Sequence, residues 1–246
     1  MKPFMIIGAT SAIAEETAHA LARDGYEHFV LVGRNQEKLS AVATNLALRC
    51  AVTAETEVLD FTNFAEHRHF VERVWQKHGG LSGVLIAHSI LGEQARFERS
   101  FENVYEAYQI NALSPISLLT HLANLFYDQG YGRIVVITSV AADRGRASNY
   151  VYGSTKAALA AFVSGLRARL HKRGVLVTDV RPGFIISPMT SQIKRGALFV
   201  SAQVAGAAIV RALNADRGVV YVPWFWWAIM LVIRNLPDFV FRRLKI

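Results

Sequence analysis

Short apolar runs alternate with segments of helical periodicity along most of the chain. The runs are rich in Val, Ile and Leu and show little polar alternation, which is typical of strands buried on both faces of a sheet. The predicted strands are Phe4–Ile7, Phe29–Val32, a short strand near Glu57–Leu59, Val84–Ala87, Arg133–Thr138, Val175–Val180 and Gly218–Val222. The predicted helices between them are Ala12–Arg23, Gln36–Leu48, Phe64–Lys77, Glu102–Tyr127, Val151–His171 and Ala202–Leu213.

This alternation of strands and helices predicts a parallel sheet with right-handed crossovers and helices on both faces. The expected fold class is α/β, a doubly wound parallel sheet in a three-layer α/β/α arrangement, whose ligands bind at the carboxyl ends of the strands. We expect residues 1–222 to form one domain. Residues 223–246 are expected to be an apolar and basic tail of the same domain, because the composition changes abruptly after Pro223.

Composition narrows the function classes. Hydrophobic residues make up 52% of the chain and charged residues 19%, so a folded core is expected rather than disorder. Cys50 is the sole cysteine and the histidines are scattered, which predicts a reducing, cytoplasmic setting and no metal site. The formal net charge of +8 favours an anionic partner, either nucleotide phosphates, nucleic acid or an acidic membrane. Nucleic acid is the weakest of these, since the basic residues are dispersed and no reader motif is present.

The turn after the first strand reads GATSAIA, residues 8–14. A helix that begins here presents free N–H groups and a positive dipole end to a pyrophosphate. Gly8 suits the tight turn, and the hydroxyls of Thr10 and Ser11 add possible contacts. Ala12 and Ala14 stand where glycines are expected, so on this motif alone an ordinary strand–helix turn is the alternative.

The second strand ends in VGRN, residues 32–35. An acidic residue at this point would bind the adenosine ribose hydroxyls and select NAD. Here Gly33 leaves room and Arg34 supplies a fixed positive charge for a 2′-phosphate, which points to NADPH/NADP+. The alternative is a solvent-exposed arginine in a loop.

Tyr152 and Lys156 are one helical turn apart in VYGSTKAALAAF, so they share a helix face. A free phenol has a pKa of about 10, and a nearby ammonium favours the phenolate. We therefore expect Lys156 to lower the pKa of Tyr152 towards the working range of a general acid. The alternative is a coincidental pair on an amphipathic helix. Tyr150 lies on another face and is the poorer candidate.

These motifs occur in one order with others: Asp60 in LDFTN, Asn111 in YQINALSP, Ser139 in VVITSV, and RPGFIISPMT over residues 181–190. Together they resemble the short-chain dehydrogenase/reductase family, a Rossmann fold, over nearly the whole chain to about residue 222. The resemblance implies that Ser139, Tyr152, Lys156 and Asn111 are catalytic. It implies these cofactor-binding residues: Gly8, Thr10, Ser11, Ala12, Ile13, Gly33, Arg34, Asp60, Phe61, Ala87, His88, Tyr152, Lys156, Pro182, Gly183, Ile185 and Ser187.

The resemblance also implies individual roles. Ser139 would hydrogen-bond the substrate oxygen, Lys156 would bind the nicotinamide ribose, and Asn111 would hold a water that links Lys156 to solvent. Asp60 would contact adenine, and the segment from Pro182 to Ser187 would pass the nicotinamide carboxamide, ahead of a substrate lid that extends to about Leu198. His88 departs from the family, which more often has an asparagine–alanine–glycine run there, and either lines the nicotinamide pocket or is simply packed or solvated.

The tail contains WFWWAIMLVI, residues 224–233, followed by RNLPDFVFRRLKI. Ten apolar residues are too few to span a bilayer as a helix, which needs about 20. Tryptophans beside Arg234, Arg242, Arg243 and Lys245 are typical of a segment that lies at a membrane interface. The alternative is burial in a subunit interface, because enzymes of this family commonly form dimers or tetramers. The tail is also similar in style to those of family members that reduce a ketosugar carried on polyprenyl phosphate.

The first functional hypothesis is an NADPH-dependent enzyme that interconverts a ketone and a secondary alcohol, with a lipid-linked or otherwise hydrophobic substrate. It would be cytoplasmic, with peripheral contact on the inner face of the membrane through residues 224–246. The alternatives are a soluble 3-ketoacyl or steroid-type ketone reductase, and a dinucleotide-binding regulator without turnover. The complete set of Ser139, Tyr152 and Lys156 argues against the regulator.

Overall fold

The computed structural model describes residues 2–244, and these residues form a seven-stranded parallel sheet covered by helices on both faces. The strands of this sheet are β1 (Phe4–Ile7), β2 (His28–Gly33), β3 (Thr53–Val58), β4 (Gly83–Ile86), β5 (Gly132–Ile137), β6 (Val175–Pro182) and β9 (Val219–Val222). A separate two-stranded sheet pairs β7 (Ile185–Ile186) with β8 (Val200–Ser201). The long helices are α1 (Ala12–Arg23), α2 (Gln36–Cys50), α3 (Phe64–His78), α5 (Phe101–Tyr108), α6 (Ser114–Gln129), α7 (Tyr150–His171), α8 (Ala202–Asn214) and α9 (Trp226–Asn235). The short helices are α4 (Gln94–Phe97) and α10 (Asp238–Phe241).

The strand order is β3-β2-β1-β4-β5-β6-β9, and every pairing is parallel. The chain leaves β1 towards β3 on one side and returns to β4 on the other, so β1 and β4 form the switch point of a doubly wound sheet. A crevice opens at this point beyond the carboxyl ends of the strands. The predicted fold class is confirmed.

The sheet separates two apolar layers because successive side chains of a strand point to opposite faces. Met5 and Ile7 pack in the layer with α3, α6 and α7, whereas Phe4 and Ile6 pack in the layer with α1, α2 and α8. All four side chains are fully buried. This is the reason that the central strands show apolar runs without polar alternation.

The edge strand β3 differs from the expected short strand near Glu57–Leu59. It begins earlier, at Thr53, and most of its residues are half-buried. Its sequence, TAETEV, alternates because one face meets charged side chains of α3: Glu57 pairs with Arg73 at 2.9 Å and Glu55 pairs with Lys77 at 2.6 Å. A search for apolar runs therefore found only the end of this strand.

The expected helix Glu102–Tyr127 is continuous in the structure but changes its winding in the middle. Between α5 and α6, Gln109–Leu113 forms a π-helical turn that contains Asn111. Single π-helical turns within α-helices are frequently found at functional sites. Asn111 is fully buried, and its Oδ1 accepts from the Ile90 N–H at 2.7 Å while its Nδ2 donates to the Ile90 carbonyl at 2.8 Å.

The tail packs against the domain through one face of α9. Trp226 and Met230 are buried against Val140, and Phe184 and Tyr221 border the same cluster. Arg144 holds the end of α9, since its Nη1 donates to the carbonyls of Ile233 at 2.7 Å and Leu236 at 2.6 Å. Within residues 2–244, no helix has both the length and the apolar character needed to cross a membrane.

Gly206 lies where α8 packs closely against the backbone of α1. A Cβ at Gly206 would lie 2.6 Å from the backbone of Glu16 and 2.8 Å from the Thr17 nitrogen. We expect Gly206→Ala to lower the free energy of unfolding by about 1–3 kcal/mol, because the two helices must separate. Urea unfolding followed by circular dichroism measures this change.

Gly165 in α7 is the matched control. It is exposed, and outside its own helix backbone no atom of the described chain lies within 4 Å of a Cβ built there. Gly165→Ala should stabilise the protein by about 0.5–1 kcal/mol through helix propensity alone. Equal effects at the two positions would show that the α1–α8 contact does not constrain Gly206.

Candidate active site

A cleft of about 420 Å³ opens at the carboxyl ends of the central strands. Most of the residues predicted from the sequence line it. They are Gly8, Thr10, Ser11, Ala12, Ile13, Arg34, Phe61, Ala87, His88, Ser139, Tyr152, Pro182, Gly183, Ile185 and Ser187. Four others do not appear on its lining: Gly33, Asp60, Asn111 and Lys156.

The turn after β1 brings backbone donors to the cleft. Gly8 has a φ of +85°, and a Cβ there would lie 2.6 Å from the His88 nitrogen, so only glycine fits between β1 and the end of β4. The side chain of Ser11 makes no capping hydrogen bond to α1, which leaves the first N–H groups of that helix to a ligand. Ala12 keeps the helix start intact. A pyrophosphate fits this donor set.

Two positively charged side chains follow β2, where the sequence analysis expected one. Arg34 and Lys38 are both exposed and both border the cleft, four residues apart at the start of α2. Gly33 also makes room for helix packing, because a Cβ there would lie 3.1 Å from Leu39 Cδ2. The end of β2 thus offers two cations where a 2′-phosphate would lie.

Asp60 does not line the cleft and is held by a local hydrogen-bonded turn. Its Oδ1 accepts hydrogen bonds from the backbone N–H of Thr62 at 2.9 Å and from the Thr62 hydroxyl at 2.8 Å. These bonds hold the pKa of the exposed carboxyl below its usual value. The next residue, Phe61, lines the cleft instead and stacks on the His88 ring at 4.2 Å between centroids. The expected contact of Asp60 with adenine stays a prediction, and its Oδ2 makes no hydrogen bond within residues 2–244.

Tyr152 enters the cleft from the first turn of α7, and the side chains of Ser139 and Ser89 line the same cleft and act to lower its pKa. The close approach of α7 to the Ser139 segment depends on Gly153, because a Cβ there would lie 2.8 Å from the Ala141 carbonyl oxygen. Ser139 itself accepts from the Ala141 N–H at 3.0 Å, which fixes its rotamer. The two predicted hydroxyls therefore meet at the cleft.

The expected effect of Lys156 on Tyr152 is corrected by the structure. Burial raises the pKa of Tyr152 to about 12, and the hydroxyls of Ser139 and Ser89 only partly oppose this. The Lys156 ammonium lies 5.8 Å from the centre of the Tyr152 ring and donates to the Ile137 carbonyl at 3.1 Å. Burial also lowers the pKa of Lys156 to about 8, against the opposing charge of Asp179. Desolvation therefore dominates the pKa of both side chains.

Asn111 is anchored to the loop after β4 by its side-chain amide. Its amide is used on both sides by the backbone of Ile90, a residue that lines the cleft just beyond β4. The side chain therefore fixes the loop after β4 relative to the π-helical turn. The expected role of Asn111 in holding a water stays a prediction.

Two residues of β6 that the sequence analysis missed clamp the segment that carries Ser139. Thr138 donates through its hydroxyl to the fully buried Asp179 carboxylate, and Arg181 donates to the same carboxylate at 2.8 Å. Arg181 also binds Asp143 at the other end of the segment. Because residues 179 and 181 project from the same face of the strand, one ion-pair system fixes both ends of the segment.

The turn after β6 connects the cleft with the tail. A Cβ at Gly183 would lie 1.9 Å from Trp226 Nε1, so the absence of a side chain there admits the indole of α9. Phe184 meets the same indole edge-on at 5.5 Å and stacks on Phe199 at 5.0 Å. The wall of the cleft after Pro182 is thus built partly by the tail.

The family model described as short chain dehydrogenase matches residues 2–197. An uncharacterised oxidoreductase of Mycobacterium tuberculosis is 37% identical over 242 residues, which cover 98% of this chain and 96% of the relative. An uncharacterised oxidoreductase of Streptomyces coelicolor is 32% identical and covers 100% of this chain and 96% of that protein. The chain belongs to the short-chain dehydrogenase family. The predicted family and the prediction of an oxidoreductase are therefore confirmed.

Solved structures of this short-chain dehydrogenase fold agree with the architecture. An actinorhodin polyketide ketoreductase with NADPH superposes with a TM-score of 0.80 at 19% identity, covering 96% of this chain and 98% of that one. An L-sorbose reductase from Gluconobacter frateurii, complexed with NADPH and L-sorbose, gives a TM-score of 0.78 at 21% identity, with 89% and 94% covered. At these identities the likeness shows the fold.

The site of this short-chain dehydrogenase contains polar residues that the motifs did not reveal. Ser89, Lys38, Arg146 and Asn149 all line the cleft. The sequence contains a signal for two of these residues. Ser89 follows His88 at a strand end, and Lys38 lies one helical turn after Arg34. The loop that holds Arg146 and Asn149 has no periodicity from which its course could be predicted.

The burial of His88 makes the free energy of unfolding sensitive to acid. Its Nε2 lies 3.0 Å from the Ser114 hydroxyl, and its Nδ1 is buried with no hydrogen-bond partner among residues 2–244. Burial, reinforced by the charge of Lys156, lowers the pKa of His88 to about 3. The unfolded chain takes up this proton below about pH 6.5 and the native state does not, so stability is lost as the pH falls towards 3.

We expect His88→Asn to reduce this acid sensitivity. Between pH 7.5 and 5 the wild type should lose about 2 kcal/mol more of its unfolding free energy than the variant. Urea unfolding at the two pH values measures the difference. His69→Asn, at an exposed position of α3, is the matched control and should keep the wild-type pH response. A His88→Asn protein as acid-sensitive as the wild type would contradict the assignment of a neutral, buried imidazole.

Proposed function

We propose that this protein is an NADPH-dependent reductase of ketones, acting reversibly on the corresponding secondary alcohols, with Ser139, Tyr152 and Lys156 as its catalytic residues. The observation that carries the proposal is the meeting of the Tyr152 and Ser139 hydroxyls in a cleft next to the open start of α1. Residues 1–222 form the catalytic domain in this proposal, and residues 223–246 its tail.

Tyr152 is the proton donor. Since its pKa is raised to about 12, the phenol is protonated at neutral pH and holds the proton that a developing alkoxide requires. An alkoxide is the stronger base, so the transfer from phenol to substrate oxygen is downhill. Ser139 hydrogen-bonds the same oxygen and, with Ser89, stabilises the phenolate that remains.

Lys156 stabilises the phenolate as it forms. Its ammonium is held against the Ile137 carbonyl, 5.8 Å from the Tyr152 ring centre, and so provides a fixed positive charge beside the developing negative charge. Asn111 acts indirectly, because it fixes the Ile90 backbone at the cleft wall.

The residues present fit a bound nicotinamide dinucleotide, which members of this family use. That cofactor would supply the hydride for the carbonyl carbon. The first N–H groups of α1 and the hydroxyls of Thr10 and Ser11 would hold the pyrophosphate. Arg34 and Lys38 would bind a 2′-phosphate, which favours NADPH over NADH. His88, Pro182, Gly183, Ile185 and Ser187 would line the nicotinamide end.

The substrate is a ketone with a hydrophobic portion. The cleft lining includes the apolar side chains Ile90, Leu91, Met189 and Ile193. A lipid-linked ketone, such as a ketosugar on polyprenyl phosphate, has the chemistry that suits such a wall. A soluble 3-ketoacyl or steroid-type ketone is the runner-up, and an assay of both classes decides between them.

The tail brings this cleft to an anionic membrane surface. Trp224 is 78% exposed, Trp227 57% and Val232 62%, while the opposite face of α9 is buried against the cleft wall. Arg234, Arg242 and Arg243 are exposed nearby. Aromatic side chains beside cations are suited to the boundary between headgroups and acyl chains, where a lipid-linked substrate would be presented.

Tyr152→Phe tests the mechanism. Removing the phenolic proton should lower kcat for ketone reduction by a factor of about 10² or more, since general acid catalysis contributes about 10²–10⁴. Binding of NADPH, measured by quenching of its fluorescence, should be retained and should be tighter than that of NADH. Tyr150→Phe removes a hydroxyl from an exposed tyrosine two residues earlier and is the matched control. Normal turnover by Tyr152→Phe would end this mechanism, and tight NADPH binding without turnover of any ketone would favour the regulator.

Trp224→Ser tests the membrane contact in the full-length protein. Co-sedimentation with vesicles of phosphatidylglycerol should fall several-fold relative to wild type, and wild-type binding should weaken in high salt. Leu48→Ser removes an apolar side chain that is 81% exposed on α2 and should leave vesicle binding unchanged. Equal binding by the two variants would contradict the proposal. A smaller assembly of Trp224→Ser in size-exclusion chromatography would assign the tail to a subunit interface instead.

A further inference from the structure

Arg146 is a charged side chain on the cleft that forms no salt bridge within residues 2–244. It belongs to the loop between Ser139 and Tyr152 and lines the cleft. Its Nε and Nη2 are buried, and neither has a hydrogen-bond partner within residues 2–244. The Oδ1 of Asn149, three residues later on the same cleft, is also buried and lacks a partner in the described chain.

These buried atoms without partners destabilise the folded protein when no ligand is bound. The buried Nε and Nη2 atoms lose solvation that no hydrogen bond replaces within residues 2–244, and burial lowers the pKa of Arg146 although the charge of Asp143 opposes this. Asp143 is the carboxylate whose charge acts on Arg146, but its oxygens already bind Arg181 and the Tyr221 hydroxyl. The charge of Arg146 is therefore left for a group that enters the cleft.

Arg146 is separate from the cations assigned to the cofactor. Arg34 and Lys38 follow β2, whereas Arg146 follows β5, and β1 and β4 lie between these strands in the sheet. Three strand spacings correspond to roughly 14 Å. The two cationic positions thus belong to different parts of the cleft, and Arg146 is on the side of the reacting hydroxyls.

We propose that Arg146, with the Asn149 amide beside it, binds an anionic group of the substrate, a phosphate or a carboxylate. The assignment rests on the proposed function and narrows its substrate class to ketones that carry a negative charge. A guanidinium suits this task because its planar fork matches the oxygens of both anions. The phosphate of a lipid carrier and the carboxylate of a soluble keto acid are the two sources of this chemistry.

Equilibrium binding tests the assignment without turnover. The protein is first saturated with NADP+, so that the cofactor's own phosphate site is filled. Phenyl phosphate, benzoate and the neutral benzyl alcohol are then titrated by calorimetry. We expect an anion to bind the wild type more tightly than benzyl alcohol, and Arg146→Gln to weaken that anion by about tenfold or more, as loss of a charge-assisted hydrogen bond requires. Preference for phenyl phosphate points to the lipid-carrier source, and preference for benzoate to a keto acid.

Stability provides the second readout. If the charge is reserved for a ligand, Arg146→Gln removes an unpaired buried cation and should raise Tm by a few degrees in the absence of the anion. Arg146→Lys keeps the charge but loses the fork, and should bind the anion with intermediate affinity. Arg99→Gln, at an exposed arginine outside the cleft, is the matched control and should match the wild type.

The inference is overturned if Arg146→Gln binds anion and alcohol as the wild type does, or if no anion binds the wild-type complex with NADP+. It is also overturned if Arg146→Gln and Arg146→Lys both fail to fold, because the guanidinium is then a structural group. Failure of the reductase assay with intact, Arg146-dependent anion binding would count against the proposed function and leave the anion site standing.

Discussion

The hydrogen bond from the Lys156 ammonium to the Ile137 carbonyl is the contact on which the site depends. It joins α7, which carries Tyr152, to the end of β5, which leads to Ser139. A fully buried ammonium is unfavourable without compensation, so the surrounding residues must hold this bond. Asp179 supplies the opposing charge, and Thr138 and Arg181 satisfy its carboxylate. The segments that carry Tyr152 and Ser139 are positioned by these polar contacts in an otherwise apolar sheet.

Close backbone approaches bring the remaining parts of the site together. Gly8 lets β1 pass the end of β4, Gly153 lets α7 approach the Ser139 segment, and Gly183 admits Trp226 from the tail. At each position a Cβ would lie less than 3 Å from another atom. Packed interiors do not tolerate such overlaps, so these contacts define the shape of the cleft as firmly as its polar residues do.

Charge divides the cleft into two ends. Arg34 and Lys38 are exposed and can be screened by solvent when the cleft is empty, whereas the Arg146 guanidinium is partly desolvated and has no neutralising partner in the part of the chain that is described. A cation held in a low-dielectric position attracts an anion more strongly than one in water. The same positive character continues on the tail, where arginines accompany exposed tryptophans beside the cleft wall.

The sequence by itself determined the order of the elements and most of the site. Apolar runs set the central strands, and helical spacing put Tyr152 and Lys156 on one face, because both patterns are local. The sequence did not indicate where β3 begins, because polar residues of this strand pair with α3. It also did not indicate the π-helical turn at Asn111, whose side chain bonds to the Ile90 backbone twenty-one residues away. Only the tertiary structure decided that Asp60 binds Thr62, that Asp179 and Arg181 clamp the Ser139 segment, and that Tyr152 is desolvated. Burial and long-range pairing arise from atoms far apart in the chain, so no local pattern records them.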